Sequence, residues 1–206
     1  MSTAVIVVDV QNDFCDVGVP AADGGIDGGM AGGGGSLAVA GGSAVAAAIS
    51  ARLAAGGFDH AVATRDHHVD PGAHFADRPD FATTWPAHCV VGTPGVELHA
   101  SLDRTAIEAV FDKGEYAAAY SGFEGRCDGE ALGDWLRDHG VDAVEVVGIA
   151  TDHCVRATAL DAAREGFATT VRLDLTAGVA RATVEAALAE LAAAGVRLVG
   201  TPVVGG

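Results

Sequence analysis

The chain has 206 residues, half of them apolar, which is enough for a substantial core in one mid-sized domain without covalent staples. Its formal net charge of -16 opposes binding to nucleic acid and to anionic lipid, and no apolar run reaches the ~20 residues that a membrane helix needs. Four cysteines (Cys15, Cys89, Cys127, Cys154) are scattered without a CxxC pair, and MSTAVIVVDV lacks the pattern of a secretory signal, so the expected setting is the cytoplasm, with reduced thiols.

In chain order, apolar β-rich runs alternate with Ala-rich segments of helical spacing. The expected strands are AVIVVDV (4–10), FDHAVAT (58–64), AIEAVF (106–111), VDAVEVVGI (141–149), ATTVRLDL (168–175) and VRLVGT (196–201). Helices are expected over 43–55, 130–140, from about His153 to Glu165, and over 182–195. This pattern predicts one α/β domain, a doubly wound, mostly parallel six-stranded sheet with helices on both faces. Residues 16–35 are mostly Gly, Ala and Asp without periodicity and read as a loop insertion. A dinucleotide-binding glycine pattern would follow the first strand at once, whereas here VDVQNDFC intervenes.

In an open α/β sheet, ligands bind beyond the carboxyl ends of the strands. Asp9, Asp66, Lys113 and Cys154 stand at or just after four such ends, and Lys113 is the only lysine among 12 basic residues. Taken singly, each has a plain structural reading: a turn-forming acid, a solvated lysine, a core thiol. Together an acid, an amine and a thiol are the parts needed for nucleophilic acyl transfer. A cysteine at a helix N-terminus is expected to favour thiolate, and the N–H groups of Ala150 and Cys154 could hold an oxyanion. The stretch TRDHHVDPGAHF with WPAHC gathers Asp66, His67, His68, His74 and His88, a donor set suited to one divalent ion such as Zn, Fe or Mn. From spacing alone, solvated loop histidines remain the alternative.

The blocks VIVVDVQNDFC, VATRDHHVDPGAHF, WPAHCVVGTPGVELH, VFDKG, AYSGFEG, WLRDHGVDAVEVVGIATDHCVRATALDA and VRLDLTAGVA resemble, in order, the nicotinamidase/pyrazinamidase branch of the isochorismatase-like cysteine hydrolases. The resemblance covers nearly everything except 16–35. It implies hydrolysis of nicotinamide to nicotinic acid and ammonia through a cysteine thioester, with pyrazinamide as a second substrate, in NAD salvage. It further implies Asp9 as general base, Lys113 as charged partner and Cys154 as nucleophile. Asp66, His68, His74 and His88 match metal ligands, and His67 does not. Phe14, Trp85 and Tyr120 match residues lining an aromatic substrate pocket, and Ile149–Ala150 matches a cis peptide bond beside it. His153 is read as structural, because neighbours at a helix start point in different directions. The rival readings are a sister amidase acting on another small amide and a non-catalytic metal-binding protein on the same scaffold.

Overall fold

The computed structural model describes residues 1–16 and 34–205, so the expectation for the glycine-rich stretch lies outside the described residues apart from Asp16, Gly34 and Gly35. Val and Ile crowd β1 (Ser2–Val8) and β6 (Val141–Ile149), strands covered on both faces. Between them run α1 (Gly42–Ala55), β2 (His60–Asp66), β3 (Ala109–Lys113), β4 (Arg126–Cys127), β5 (Glu130–Ala131) and α2 (Leu132–Asp138). After β6 come a five-residue π-turn, Thr151–Val155, then α3 (Arg156–Arg164), β7 (Ala168–Gly178), α4 (Arg181–Ala193), β8 (Arg197–Val199) and β9 (Val203–Val204).

The sheet order is β5-β4-β3-β2-β1-β6-β7-β8, with β9 against β7; the pairs are parallel except β3-β4 and β4-β5. From β1 the chain first steps to β2 and β3 on one side, and later to β6 and β7 on the other. Right-handed crossovers therefore put α1 on one face and α3 on the opposite one. The core splits accordingly: Val45, Ile49 and Leu53 pack with Val5 and Val7, whereas Leu136, Val155 and Leu191 pack with Ile6 and Val146. The order reverses between β1 and β6, and that is where a parallel sheet opens a crevice at its carboxyl edge.

All six expected strands are present, and three two-residue strands add to them. The third runs 109–113 rather than 106–111, because Asp103 and Thr105 form a turn that holds Ile107 to Arg104 and delays the strand. Glu130 and Ala131 belong to a hairpin instead of a helix, since Asp128 and Gly129 both adopt positive φ (50° and 88°), the geometry an Asp-Gly turn provides. The helix expected from His153 begins its turning at Thr151, which is anchored by its hydroxyl to Thr176. Asp152 accepts the N–H groups of Val179 and Ala180 and the Thr183 hydroxyl, tying this turn to the start of α4.

Gly148 fixes the approach of β6 to β1. Its φ is +119°, and a Cβ there would stand 2.1 Å from the Val8 carbonyl oxygen. Gly140 has φ +67° with open space around it, so it isolates backbone strain from collision. In urea titrations Gly148→Ala is expected to lose more than about 3 kcal/mol, or to fail to fold, while Gly140→Ala loses about 1 kcal/mol.

Candidate active site

The strand ends set the site. Val8 is level with Thr64 on one side and Gly148 on the other, and Asp66 is level with Lys113, so four strands finish together. Asp9 follows β1 in a left-handed conformation, φ 48°, with its N–H donated to the Thr64 carbonyl. Gln11 joins the next layer: its amide donates to the carbonyls of Asp66 and Val96 and accepts the Asp66 N–H.

Lys113 is buried, and its ammonium reaches Asp9 Oδ2 at 2.9 Å, Asp66 Oδ1, the Ala119 carbonyl at 3.3 Å and Cys154 Sγ at 3.7 Å. The ammonium thus pairs in charge with Asp9 Oδ2. Asp9 Oδ1, in contrast, accepts the Thr64 hydroxyl at 2.6 Å. The structure thus brings together Asp9, Lys113 and Cys154 from three separate strand ends.

Burial dominates their titration. It pushes the Cys154 thiol well above its usual range, opposed by Lys113 and reinforced by Asp9 and Asp66. The cysteine is therefore a thiol at rest; the helix-end effect expected to favour thiolate is outweighed by loss of solvent. Burial also raises Asp9, against Lys113. For Asp66 burial acts upward, but Lys113 and then His68 outweigh it and hold the carboxyl below its usual range. Burial would likewise neutralise Lys113, yet Asp66, Asp9 and Cys154 keep it charged.

Beside this cluster, His68, His74 and His88 are all buried and offer ligand atoms within 4.8 Å of one another. His68 Nδ1 is 2.6 Å from the Gly114 carbonyl and His88 Nδ1 is 2.8 Å from the Pro86 carbonyl. A carbonyl can only accept, so both rings carry their proton on Nδ1 and turn a bare Nε2 inward. Each Nε2 lies 3.8 Å from Asp66 Oδ2, and His68 Nε2 and His74 Nδ1 have no hydrogen-bond partner. Burial, with help from the neighbouring rings, pushes His74 down to about 4, which keeps its imidazole neutral. Orphaned nitrogen lone pairs around one carboxylate oxygen fit a divalent ion. His67 is excluded by the alternation of the extended chain: its ring turns toward Glu115, 3.5 Å away, and Asp112.

Members of both clusters, Cys154 on one side and Asp66, His74 and His88 on the other, line a cavity of about 520 Å³ together with Ile149 and Ala150 and the expected Phe14, Trp85 and Tyr120. The Trp85 indole N–H donates to the Tyr120 hydroxyl at 3.0 Å, and the Phe14 ring lies 5.5 Å from His88. The Ile149–Ala150 peptide is cis. Three contributions were missed from the sequence. His153 is in the wall, edge-on to Trp85 at 5.2 Å and stacked with Tyr120, because the π-turn rotates it inward. Residues 36–40 line the rim; Asp13 secures them by accepting the Ser36 N–H, and its other oxygen accepts the Cys89 N–H beside His88. Thr64 opens the stretch TRDHHVDPGAHF, where the sequence assigns it no role.

Comparison with known proteins gives this geometry its context. The isochorismatase domain model matches residues 3–202. A nicotinamidase/pyrazinamidase of Mycobacterium tuberculosis is 57% identical over 197 residues, covering 95% of this chain and 97% of that protein. Among solved structures, PnC1 from L. infantum in complex with nicotinate superposes with a TM-score of 0.78 at 36% identity, covering 96% of this chain and 92% of that one. A pyrazinamidase of Pyrococcus horikoshii in complex with zinc gives 0.75 at 35% identity, over 97% and 99%. With a domain match across nearly its whole length and an acid, a lysine and a thiol assembled at the sheet's switch point, the chain belongs to the isochorismatase family.

Proposed function

We propose that the protein hydrolyses nicotinamide to nicotinic acid and ammonia, and pyrazinamide to pyrazinoic acid, through a thioester on Cys154. The observation that carries this is the single lysine buried between Asp9, Asp66 and the Cys154 sulfur, beside an aromatic cavity that Asp66 and Cys154 line. The pyridine ring lies among Phe14, Trp85, Tyr120 and His153, with its carboxamide toward Cys154. Asp66, His68, His74 and His88 would hold a divalent ion, for which Zn, Fe or Mn suits the donor set, and it would supply a Lewis acid beside the bound ring.

Because the resting sulfur is protonated, attack requires a base. Asp9, through the oxygen that does not hold the Thr64 hydroxyl, takes the thiol proton as Sγ bonds to the carboxamide carbon. The N–H groups of Ala150 and Cys154 receive the charge that develops on the carbonyl oxygen. As the C–N bond breaks, Asp9 returns the proton to the nitrogen and ammonia departs. Asp9 then deprotonates a water that adds to the thioester, and nicotinic acid leaves with the thiol restored. Throughout, Lys113 balances the negative charge that passes between Asp9 and Cys154.

Ammonia release from nicotinamide tests this reading. Wild type is expected to be active, and Cys154→Ala inactive with its fold intact by circular dichroism. Lys113→Arg keeps the charge in a wider planar group that cannot sit between the two carboxylates and the sulfur; kcat is expected to drop by about 100-fold or more. Full turnover in that variant would remove the role given to the lysine. Stripping with a chelator should abolish turnover, and refilling with one of the three ions should restore it.

A further inference from the structure

We infer that Thr64 is a positioning residue that selects which oxygen of Asp9 serves as the base, an assignment that rests on the amide-hydrolase reading above. Asp9 is fully buried, and its backbone sits in a left-handed conformation that an Asp tolerates but does not prefer. Thr64, also fully buried, grips it at two points: its carbonyl accepts the Asp9 N–H at 3.2 Å, and its hydroxyl donates to Asp9 Oδ1 at 2.6 Å. With Asp9 ionised against Lys113 the hydroxyl donates, at a length within the range of a charge-assisted O–H···O⁻ bond.

The consequence falls on the other oxygen. Oδ1 is committed to Thr64, which leaves Oδ2, paired with the Lys113 ammonium at 2.9 Å, as the oxygen open to take a proton from Cys154, whose sulfur lies within 4.8 Å of this carboxyl group. Lys113 does not fix the carboxyl rotation alone, because its ammonium is also bonded to Asp66 Oδ1 and the Ala119 carbonyl. Without the hydroxyl, the Asp9 carboxyl turns about its Cβ–Cγ bond, a broad torsion, and either oxygen can swing toward the ammonium.

The methyl group of Thr64 has a part as well. It packs over Gly122, where an added Cβ would stand 2.7 Å from Thr64 Cγ2. A β-branched side chain wedged in this way has one χ1 setting, and here that setting aims the hydroxyl at Asp9. Serine at this position would keep the donor with a freer rotamer, alanine would lose both groups, and valine would keep the shape and lose the donor.

Thr64 does not line the cavity, and its hydroxyl is engaged by Asp9 rather than by a member of the imidazole group, which separates its effect from substrate binding and metal retention. The test compares wild type with Thr64→Ser, Thr64→Ala and Thr64→Val, each as metal-loaded protein, measuring kcat and KM for nicotinamide along with metal content. Thr64→Ala and Thr64→Val are expected to lose about 10- to 100-fold in kcat, part of what a positioned base contributes, with KM and metal content unchanged. Thr64→Ser is expected to stay within about threefold of wild type. Should valine fail to fold there, the serine and alanine pair still differs by the hydroxyl alone. The inference is overturned if alanine or valine keeps wild-type kcat, if serine is as impaired as alanine, or if the loss appears in KM or metal content instead. An inactive wild type with metal bound would instead overturn the reaction, and this proposal with it.

Discussion

A lysine ammonium with no access to water must be compensated on the spot, and the carboxyl edge of this sheet is arranged around that requirement. Taking such a charge from water costs several kcal/mol even after the protein relaxes, more than any one surface ion pair returns. Lys113 meets two carboxylates, a carbonyl and a sulfur, each delivered by a different segment. Removing the lysine would leave two buried carboxyl groups facing each other without a counter-charge, so the ends of β1, β2 and β3 are locked to one another by electrostatics as well as by backbone pairing. The lysine cannot be read as a solvated residue that happens to follow a strand; its burial is tolerable because the carboxyl groups of Asp9 and Asp66 lie against it.

That constraint also explains why two chemically different clusters lie side by side. Asp66 divides its carboxylate: Oδ1 holds Lys113, and Oδ2 faces the bare nitrogens of His68 and His88. Its backbone is immobilised in turn by both faces of the Gln11 amide. One side chain therefore sets the spacing between the imidazole group and the nucleophile. A substrate anchored over the imidazoles presents its carbonyl to sulfur only if that spacing is right, and a shift of about 1 Å in such geometry can cost about 100-fold in rate.

Much of this was legible in the sequence. β1 and β6 carry the long Val and Ile runs, and the remaining main strands are shorter apolar stretches between Ala-rich helical segments, so the polar residues at their ends are found by position. The Asp-x-His spacing carried the ligand pair, because alternation in an extended chain puts Asp66 and His68 on one side and His67 on the other. What escaped had physical reasons. β4, β5 and β9 are two residues long, too short for a period, although Asp128-Gly129 announced the first of these turns. His153 was misplaced because helix spacing was assumed where the chain forms a π-turn, and the additional residue in that turn rotates its ring to the cavity.

The thiol shows where reasoning from local structure reaches its limit. A helix N-terminus stabilises thiolate by the alignment of a few N–H dipoles, an effect of order 1 kcal/mol near the surface. Burial beside two carboxylates acts in the opposite sense on the same sulfur and, at full exclusion from water, is the larger of the two. Sequence shows the first effect, since the strand-to-helix junction can be read from GIATDHC. The second depends on Asp9 and Asp66 arriving from strands far away in the chain. Their convergence brings carboxylate oxygens of both residues within 4.8 Å of the sulfur, and it is this proximity, together with burial, that holds the proton on the thiol.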